Sequence, residues 1–361
     1  MTDTRAVSLG VVGLGNIATH HCDSLTDAGL GDVISGGLDV DADARERFAE
    51  AYEVPVYDDR DALYEQVDAV LVTTPNRFHE EYVVSALDAG LDVFVEKPLA
   101  HTVESAERIA AAAADADGFC MVGFHNRFRN PIQALDEYRV DGTLGEVTHV
   151  EADYIRRRGI PGRGSWFTRK EVSGGGSLID IGVHAIDLSL YLLGFPDVVE
   201  VSGQTRAQFG TDEEYAYVDM WGEDNGADAF DVDDSVSAFV RCADGSTITL
   251  EVAWAANRPD SQQYYVRGTD GGAGLDLKSE SLELYETVAD GVNHHRTTEI
   301  TTQDQNAYGL IGERFVEAVA SGEPPGTNTV EQALTVQRVL DAIYRSSERG
   351  EAVSLPASRK V

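Results

Sequence analysis

The sequence predicts an α/β domain with a doubly wound parallel sheet, followed by an α+β domain with a large, mostly antiparallel open sheet. In residues 1–126, short apolar runs alternate with amphipathic stretches, which is typical of parallel strands covered by helices on both faces. After Pro131, helix patterns become rare, and alternating strands with hairpin signals take over. A chain of 361 residues is long enough for both domains.

The first domain, residues 1–126, is expected to contain five strands joined by helices. The strands are Val7–Val12, Val33–Leu38, Asp68–Thr73, Leu91–Glu96 and Phe119–Val122. The helices are a stretch ending near Ala28, then Ala42–Tyr52, Arg77–Ala89 and Thr102–Ala116. Ligands of doubly wound sheets bind at the carboxyl ends of the strands, so the polar residues there form the first candidate site.

The second domain, residues 127–361, has one long helix beginning near Gly176 and two closing helices, Tyr308–Ala320 and Val330–Arg349. Its predicted strands are Glu146–Arg158, Val198–Ala207, Asp234–Cys242, Thr247–Trp254, Tyr264–Gly268, Gly274–Lys278 and Leu282–Glu286. Glycine-containing turns at 244–246 and 270–272 join neighbouring strands as hairpins. The domain is therefore expected to be a mostly antiparallel sheet with helices.

A glycine turn follows the first strand and opens a helix. It reads Gly13-x-Gly15-x-x-Ala18, the dinucleotide-binding fingerprint with alanine in the third place. Gly13 would form the tight turn, and Gly15 would let a pyrophosphate approach the helix N-terminus, where Asn16 and Ile17 begin the helix. This strand, turn and helix predict a Rossmann domain that binds a nicotinamide dinucleotide.

Asp39 ends the second strand, where an acid can accept hydrogen bonds from the adenosine ribose hydroxyls. The same carboxylate repels a 2′-phosphate, and no arginine follows it immediately. The sequence therefore favours NAD, with NADP as the alternative. Asp39 could instead cap the helix Ala42–Tyr52, a role that Asp41 can also fill.

Lys97 follows a buried strand and precedes Pro98, which restricts it to extended backbone angles. It is one of only four lysines in the chain, the others being Lys170, Lys278 and Lys360. We therefore expect Lys97 to point into a site, the alternative being a solvated loop lysine. The residues at these strand ends expected to border the cofactor are Thr74, Pro75, Asn76, His79, Glu96 and Lys97. His125 is expected near the nicotinamide end and the substrate, unless such residues only form turns.

The segment 174–194 predicts a helix that is apolar almost all round. At about 100° per residue, Asp180, His184, Asp187 and Tyr191 fall within an arc of roughly 60°. A helix of this kind is buried, and a buried charge needs partners, so we expect the stripe to form the wall of a polar cleft. The alternative is that Asp180 completes a capping box with the serine three residues before it.

Several further residues have two readings. In Glu151–Arg158, alternation places Tyr154, Arg156 and Arg158 on one face, where an arginine would suit an acidic sugar or a phosphate. The arginines could equally pair with surface acids. Trp166 could stack on a sugar ring or pack at an interface. The histidine pairs at 20–21 and 294–295 lack a third donor at ligand spacing, so we expect surface positions and no metal.

The net charge of −35 is spread along the whole chain, with a pI near 4.4. Such a field repels nucleic acid and anionic membranes. It suits a halophilic cytoplasm, where salt at 1 M screens repulsion over about 3 Å. Cys22, Cys120 and Cys242 are too far apart for a disulfide framework, no signal peptide precedes the first strand, and no apolar run reaches about 18 residues.

Together these motifs resemble the Gfo/Idh/MocA family, the glucose–fructose oxidoreductases and inositol dehydrogenases. The matching parts are Gly13–Ala18, Thr74–His79, Glu96–Pro98, Gly174–His184 and Asp233–Ser235, with Gly245 and Trp254. The resemblance implies a Rossmann domain, a bound nicotinamide cofactor and oxidation or reduction of a sugar or cyclic polyol. It also implies a second domain whose open sheet faces a partner subunit, in a homodimer or homotetramer.

Lys97, Asp180 and His184 stand where the family has its catalytic lysine, aspartate and histidine. His184 could take the hydroxyl proton, Lys97 could stabilise the alkoxide, and Asp180 could hold the array in position. We expect the three to meet across one crevice, with Gly174–Gly176 leaving room for substrate. The alternatives are a glycosidase that keeps NAD bound, which would give no net NADH, and a non-catalytic sensor, which needs no base.

Overall fold

The computed structural model describes residues 7–218, 222–289 and 291–356. The chain divides into two compact units, the first containing Met1–Phe128 and Gln305–Leu334, the second Arg129–Asp304 and Thr335–Val361. This division differs from the expected 1–126 and 127–361 in the closing helices. Helix Ala307–Ser321 joins the first unit, because Ile311, Phe315 and Val316 pack into the hydrophobic core of that unit.

The strands, numbered in chain order, fall into two sheets. They are β1 Leu9–Val12, β2 Ile34–Leu38, β3 Val56–Tyr57, β4 Ala69–Val72, β5 Asp92–Val95, β6 Cys120–Val122, β7 Val147–Ile155, β8 Val198–Arg206, β9 Ser235–Cys242, β10 Thr247–Ala253, β11 Ser261–Gly268, β12 Gly271–Asp276, β13 Ser281–Val288, β14 His294–Ile300 and β15 Val353–Ser354. The two sheets lie in different units, β1 to β6 in the first and β7 to β15 in the second.

Ten α-helices are present in the described residues. They are α1 Asn16–Asp27, α2 Ala42–Tyr52, α3 Arg60–Tyr64, α4 His79–Asp88, α5 Val103–Asp115, α6 Asn130–Val140, α7 Lys170–Ser173, α8 Val183–Leu192, α9 Ala307–Ser321 and α10 Val330–Arg349. Within the described ranges, no helix combines the length and apolar character that crossing a lipid bilayer requires.

The first sheet has six strands in the order β3-β2-β1-β4-β5-β6, and every neighbouring pair is parallel. This is the order of a doubly wound sheet, which confirms the predicted Rossmann domain. All residues of β1 and β4 are buried, as expected for strands covered on both faces. Strand order reverses between β1 and β4, so the loops after these strands flank the position where such sheets bind ligands.

The second sheet has nine strands in the order β14-β13-β12-β11-β7-β10-β9-β8-β15. Only β7 and β10 pair in parallel, which confirms the mostly antiparallel prediction. Helix α8 packs against β7 and β10 on one face. On the other face, Phe239 and Tyr265 are 39% and 46% exposed within the chain.

The observed strands differ from the predicted ones in one strand end and in three strands, β3, β14 and β15, that were not predicted. Glu146–Arg158 was expected as one strand, but β7 ends at Ile155, because pairing beyond it is irregular and Arg158 makes only an isolated bridge to Ala255. The histidine pair at 294–295 begins β14, an edge strand whose residues are mostly exposed. Its polar sequence carries no apolar alternation, so the pattern gave no sign of a strand.

Candidate functional site

The glycine turn after β1 has the geometry that a dinucleotide requires. Gly13 has φ +89°, and a Cβ there would lie 2.9 Å from the backbone nitrogen of Thr74, so only glycine fits. Gly15 is the N-cap of α1 and supplies no side-chain cap. A Cβ on Gly15 would meet nothing within 4 Å, so the space over the helix N-terminus is open. These residues fit a pyrophosphate held by N–H groups of the first turn.

Asp39 is fixed beside this turn. Its Oδ2 accepts from the backbone N–H of Leu14 at 2.7 Å, and its Oδ1 accepts from that of Asp41 at 2.8 Å. The cap of α2 is Asp41, which accepts from Asp43 N–H at 3.0 Å, so Asp39 is not that cap. Each Asp39 oxygen has a second lone pair, and the carboxylate therefore fits the ribose hydroxyls of a dinucleotide.

Arg45 is a neighbour of Asp39 that the sequence reasoning missed. Its Nη1 donates to the backbone oxygen of Asp39 at 2.7 Å. No arginine directly follows Asp39 in the sequence, and Arg45 instead reaches back to it from the second turn of α2. A guanidinium beside this acid offers a donor to a 2′-phosphate, so the choice between NAD and NADP depends on both residues.

His79 braces the loops after β4 and β5. The side chain is completely buried, with Nδ1 2.9 Å from the oxygen of Pro98 and Nε2 2.8 Å from that of Thr74. Burial lowers the pKa of His79, against the hydrogen bonds that raise it. Asn76, in the same loop, is 5% exposed. The polar residues expected at these strand ends therefore lie together at the carboxyl edge of the sheet.

Glu96 and Lys97 follow β5. The Glu96 side chain is almost completely buried, with Oε1 2.6 Å from Nε2 of His21, while its Oε2 accepts from Lys97 N–H at 3.0 Å. Burial raises the pKa of Glu96, but the hydrogen bond from His21 and the positive charges of His21, Lys97 and His125 outweigh it and hold that pKa below its usual value. The ionised Glu96 therefore anchors the backbone of Lys97.

The expectation that both histidines 20 and 21 lie on the surface was wrong for His21, which is 2% exposed. Its ring packs edge-on against Phe94 and Tyr308 at centroid distances of 5.3 and 5.0 Å. His125 stacks on the same tyrosine at 4.1 Å. A signal was present in the sequence, since His21 shares the buried face of α1 with Ala18, Cys22 and Leu25 at helical spacing.

In the second unit, the helix of the predicted polar stripe begins with a π-helical turn, Leu178–Gly182, and continues as α8. Asp233 caps this start, since its carboxylate accepts from the N–H groups of Gly176 and Leu178 at 2.9 Å each and from Ser177 Oγ at 2.8 Å. Ser177 N–H donates to the backbone oxygen of the same aspartate at 2.9 Å. The capping-box alternative for Asp180 is therefore wrong.

The Asp180 carboxylate instead faces polar groups of the sheet. Its Oδ2 accepts from Nε1 of Trp254 at 2.9 Å and lies 3.9 Å from Nη1 of Arg156. The side chain is 13% exposed. His184 follows one turn later and is 6% exposed. The helix thus carries an acid and an imidazole on neighbouring turns, and π-helical turns of this kind are frequent at functional sites.

The other two residues of the stripe have different surroundings. Asp187 is 1% exposed. Tyr191 donates from its hydroxyl to Oδ2 of Asp136 on α6 at 2.9 Å, so this residue connects two helices.

Gly175 and Gly176 pack against protein atoms. A Cβ on Gly175 would lie 2.0 Å from the hydroxyl of Tyr344, and one on Gly176 would lie 1.9 Å from the backbone oxygen of Asp233. The expectation that these glycines leave room for substrate was wrong, because the space beside them is filled by α10 and by the segment before β9. They allow the close approach that seats the start of the helix.

The arginines after β7 do not serve mainly as partners of surface acids. Arg156 lies near Asp180, as described, and its guanidinium is 5.6 Å from the ring centre of Tyr154. Nη1 of Arg158 donates to the backbone oxygens of Arg157 and Ala256, and Nη2 to Asn257. Trp166 stacks on Phe167 with ring centroids 3.8 Å apart, in a short 3-10 helix.

Two family profiles match the chain. Residues 7–124 match the oxidoreductase family with an NAD-binding Rossmann fold, and residues 132–273 match the GFO/IDH/MocA C-terminal domain. D-glucoside 3-dehydrogenase of Escherichia coli is 31% identical over 96% of this chain and 97% of its own length. The scyllo-inositol 2-dehydrogenase (NAD(+)) of Bacillus subtilis is 25% identical, with 98% and 97% covered.

Among solved structures, levoglucosan dehydrogenase in complex with NADH matches in fold. Its TM-score is 0.83 at 20% identity, with 98% of this chain and all of that chain covered. An oxidoreductase domain protein from Kribbella flavida has the same TM-score at 26% identity, with 97% and 99% covered. These findings confirm the resemblance noted from the motifs. The chain belongs to the Gfo/Idh/MocA family of oxidoreductases, and its first unit is an NAD-binding Rossmann domain.

Proposed function

We propose that this protein is an NAD(P)-dependent dehydrogenase that acts on a secondary alcohol, or the corresponding ketone, of a sugar or cyclic polyol. The observation that carries the proposal is the placement of Asp180. A second aspartate, Asp233, caps the helix, and Asp180 is held toward polar groups by Trp254 at 2.9 Å, one turn before His184. The names of the relatives, a glucoside dehydrogenase and an inositol dehydrogenase, support the substrate class.

We assign the roles from the chemistry of each side chain. The nicotinamide of the bound cofactor supplies the hydride acceptor. His184 takes the hydroxyl proton, because an imidazole, with an ordinary pKa of about 6.5, can accept a proton close to neutral pH. The ammonium of Lys97 stabilises the negative charge that develops on the substrate oxygen. Asp180 accepts a hydrogen bond from a neighbouring hydroxyl and orients the substrate.

The remaining candidate residues are assigned by unit. We propose that the cofactor is bound by Gly13, Gly15, Asn16, Ile17, Asp39, Thr74, Pro75, Asn76, His79, Glu96 and Lys97. We propose that the substrate is bound by Lys97, His125, Arg156, Arg158, Trp166, Asp180 and His184. NAD is proposed as the preferred cofactor because Asp39 is fixed at the ribose position by two backbone N–H groups.

The test is a panel of free aldoses, inositols, uronic acids and glycosides, assayed with NAD and NADP for net formation of the reduced cofactor. The Asp180→Asn and His184→Ala variants should lose activity on every substrate that the wild type oxidises. Tyr191→Phe is the matched control, because Tyr191 lies on the same helix but bonds Asp136. Glycoside cleavage without net NADH would favour the glycosidase alternative, and cofactor binding without turnover would favour the sensor.

We propose that the protein forms a homodimer or homotetramer through the exposed face of the nine-stranded sheet. Phe239, Thr249, Glu151 and Tyr265 stand opposite one another across four strands on this face. Two large aromatic side chains in such a row would be covered by a second copy. Phe239→Glu combined with Tyr265→Glu should lower the mass measured by light scattering, and an unchanged mass would refute the assignment.

We propose that the protein works in the cytoplasm of a salt-accumulating cell. The charge of −35 supports this, because salt screens the repulsion between surface carboxylates. A relative at 28% identity, D-xylose 1-dehydrogenase (NADP(+)) 2, comes from Haloferax volcanii. The free energy of unfolding should rise steeply as KCl is raised from about 0.1 M toward about 2 M. Stability independent of salt would overturn the proposal.

A further inference from the structure

A cleft of about 750 Å³ opens in the second unit where the backbone leaves β7. Three consecutive arginines, Arg156, Arg157 and Arg158, line it together with Asn257 and Asp260. The whole chain has 63 acidic and 28 basic residues, so three guanidiniums in one cleft run against its composition. The lining is therefore an island of positive charge on an acidic protein.

Among the described residues, Asp260 is the one carboxylate of the lining, and it is engaged by other groups. Oδ2 of Asp260 lies 3.0 Å from Nζ of Lys278, and its Oδ1 accepts from the backbone N–H of Arg157 at 2.7 Å. The hydrogen bond from Lys278 lowers the pKa of Asp260 against burial, and the N–H of Arg157 and the charges of Lys278 and Arg156 lower it further, so Asp260 stays ionised. Asp260 thus makes its ion pair with Lys278 and acts on the charge of Arg156, but it forms no ion pair with Arg157 or Arg158.

Arg158 is held in place by neutral groups. Its Nη1 donates to two backbone oxygens, at 2.7 and 3.2 Å, and its Nη2 donates to Oδ1 of Asn257 at 2.8 Å. The guanidinium carbon lies 4.8 Å from the ring centre of Phe209. Across the described ranges, no carboxylate oxygen comes within 4.0 Å of the side-chain nitrogens of Arg157 or Arg158. A fixed guanidinium without a carboxylate is suited to bind an anion from solution.

Arg156 connects this cleft to the candidate catalytic group. Its Nη1 lies 3.9 Å from Oδ2 of Asp180, and the same arginine lines the cleft. An anion bound by Arg157 and Arg158 would therefore sit close to the acid that we assign to substrate orientation. Arg156 is thus common to the cleft and to the surroundings of Asp180, and all of these residues belong to one unit.

We propose that the cleft binds an anionic group of the substrate, so that the protein acts on a sugar carrying a phosphate or a carboxylate. The inference rests on the proposed function and adds the substrate's charge to it. Arg157 and Arg158 provide hydrogen-bond donors for the anion. Arg156 adds a positive charge between the cleft that it lines and Asp180, which lies 3.9 Å away. Phosphate and carboxylate share the chemistry that a planar guanidinium recognises.

The test compares sugars that differ only in the anionic group. Glucose, glucose 6-phosphate and glucuronate are each assayed for kcat/KM, and galactose with its 6-phosphate and uronic acid form a second set. We expect the wild type to prefer an anionic member of a set by about tenfold or more. Preference for phosphate over carboxylate, or the reverse, identifies which anion the cleft takes. Preference for the neutral sugar in both sets would overturn the inference while leaving the dehydrogenase assignment intact.

Variants localise the effect. Arg158→Gln should reduce the ratio of kcat/KM for the anionic sugar to that for its neutral counterpart by about tenfold, and Arg158→Lys should recover part of it. The matched control is Arg258→Gln, because Arg258 pairs with Asp153 at 3.0 Å and is outside the cleft lining. This control should leave the ratio unchanged. Equal losses on neutral and anionic sugars in Arg158→Gln would refute the anion site.

Equilibrium binding separates this inference from the proposed function. Inorganic phosphate and glucuronate are titrated calorimetrically into the wild type, Arg158→Gln and Arg258→Gln. We expect measurable binding to the wild type and to Arg258→Gln, and about tenfold weaker binding to Arg158→Gln. If no sugar is oxidised but this pattern holds, the dehydrogenase assignment fails and the anion site stands. Identical binding to all three proteins would remove the site.

Discussion

Nε2 of His21 lies 2.6 Å from Oε1 of Glu96, and the two side chains are only 2% and 7% exposed. The contact joins α1, the helix that follows the glycine turn, to the end of β5. The other oxygen of Glu96 accepts from the N–H of Lys97, so the backbone of the candidate catalytic lysine is tied to α1 through one buried carboxylate. His21, which is distant in sequence, thus helps to fix the backbone of Lys97 through Glu96.

Removing the imidazole of His21 should lower the free energy of unfolding. His21→Ala leaves a buried carboxylate without its main partner, which typically costs about 3 to 5 kcal/mol. His20→Ala is the control, since His20 also contacts Tyr308, at 4.3 Å, but is exposed. We expect that variant to lose less than about 1 kcal/mol. Urea unfolding at neutral pH measures both losses, and equal values would show that the Glu96 contact contributes nothing.

The same contact predicts a pH dependence. Burial raises the pKa of Glu96 in the folded state, but the hydrogen bond from His21 and the nearby charges of Lys97 and His125 together hold it below its usual value. Its stabilising effect is therefore present above the unfolded pKa of about 4.3 and is lost as the pH falls toward the lower folded pKa. In His21→Ala, burial is opposed only by Lys97 and His125, so we expect the pKa of Glu96 to be higher than in the wild type.

The difference in unfolding free energy between wild type and His21→Ala should therefore shrink as the pH falls from about 5.5 to about 3.5. Urea unfolding at half-unit pH intervals measures this difference. A difference that is constant over the whole interval would mean that the contact with His21 does not lower the pKa of Glu96.

Lys97→Ala should reduce turnover by well over tenfold, roughly the loss seen when one donor to a developing oxyanion is removed. The Kd of NAD should stay nearly the same, because we assign the ammonium to the substrate oxygen. Lys170→Ala, at an exposed lysine of α7, controls for the loss of a positive charge. Steady-state rates and quenching of protein fluorescence by NAD give the two quantities. Wild-type turnover in Lys97→Ala would remove this residue from the mechanism.

Asp39→Ala should shift the cofactor preference toward NADP by about tenfold, since the carboxylate no longer binds the ribose or repels a 2′-phosphate. Arg45→Ala should shift it the other way, because the guanidinium beside Asp39 would no longer be available to the phosphate. Asp41→Ala removes the cap of α2 and should cost about 1 kcal/mol of stability without altering the preference. The measurement is the ratio of kcat/KM for NAD and NADP. An unchanged ratio in Asp39→Ala would contradict the ribose assignment.

Gly15→Ala should weaken NAD binding and leave the fold nearly untouched. The added Cβ meets no protein atom within 4 Å, so the stability loss should stay below about 1 kcal/mol. The methyl group would, however, occupy space that a pyrophosphate needs for close approach. Gly13→Ala should instead lower stability, because φ is +89° and Thr74 N is 2.9 Å away. Calorimetric titration with NAD, alongside urea unfolding, separates the two outcomes.

The elements of the Rossmann domain could be predicted because its strands are short, apolar and buried on both faces. The signal is periodic and local, and β1 with the following glycine turn shows it clearly. Strand β3 is two residues long and β14 is exposed, so neither carries a pattern. The end of β7 was misplaced because the arginines after Ile155 continue the alternation in sequence after the pairing has become irregular.

The candidate site was predicted as a set of residues, but the contacts of those residues were not. The cap of the helix that carries Asp180 and His184 comes from Asp233, more than fifty residues away from Gly176, and no local pattern reveals it. The local capping-box signal at Ser177 pointed to the wrong acid. His21 was misassigned because two adjacent histidines were considered as a metal-ligand pair, whereas their helical positions already separate a buried residue from an exposed one.

Asp233 receives hydrogen bonds from Gly176, Ser177, Leu178 and Tyr344, so the start of the helix that carries Asp180 depends on that one carboxylate. The side chain of Asp180 is consequently not needed to cap its own helix. A substitution at position 180 would therefore change the polar group that this helix presents, while its first turn stays held by Asp233. Two aspartates thus have separate tasks in this segment: Asp233 holds the backbone of the first turn, and Asp180 faces Trp254.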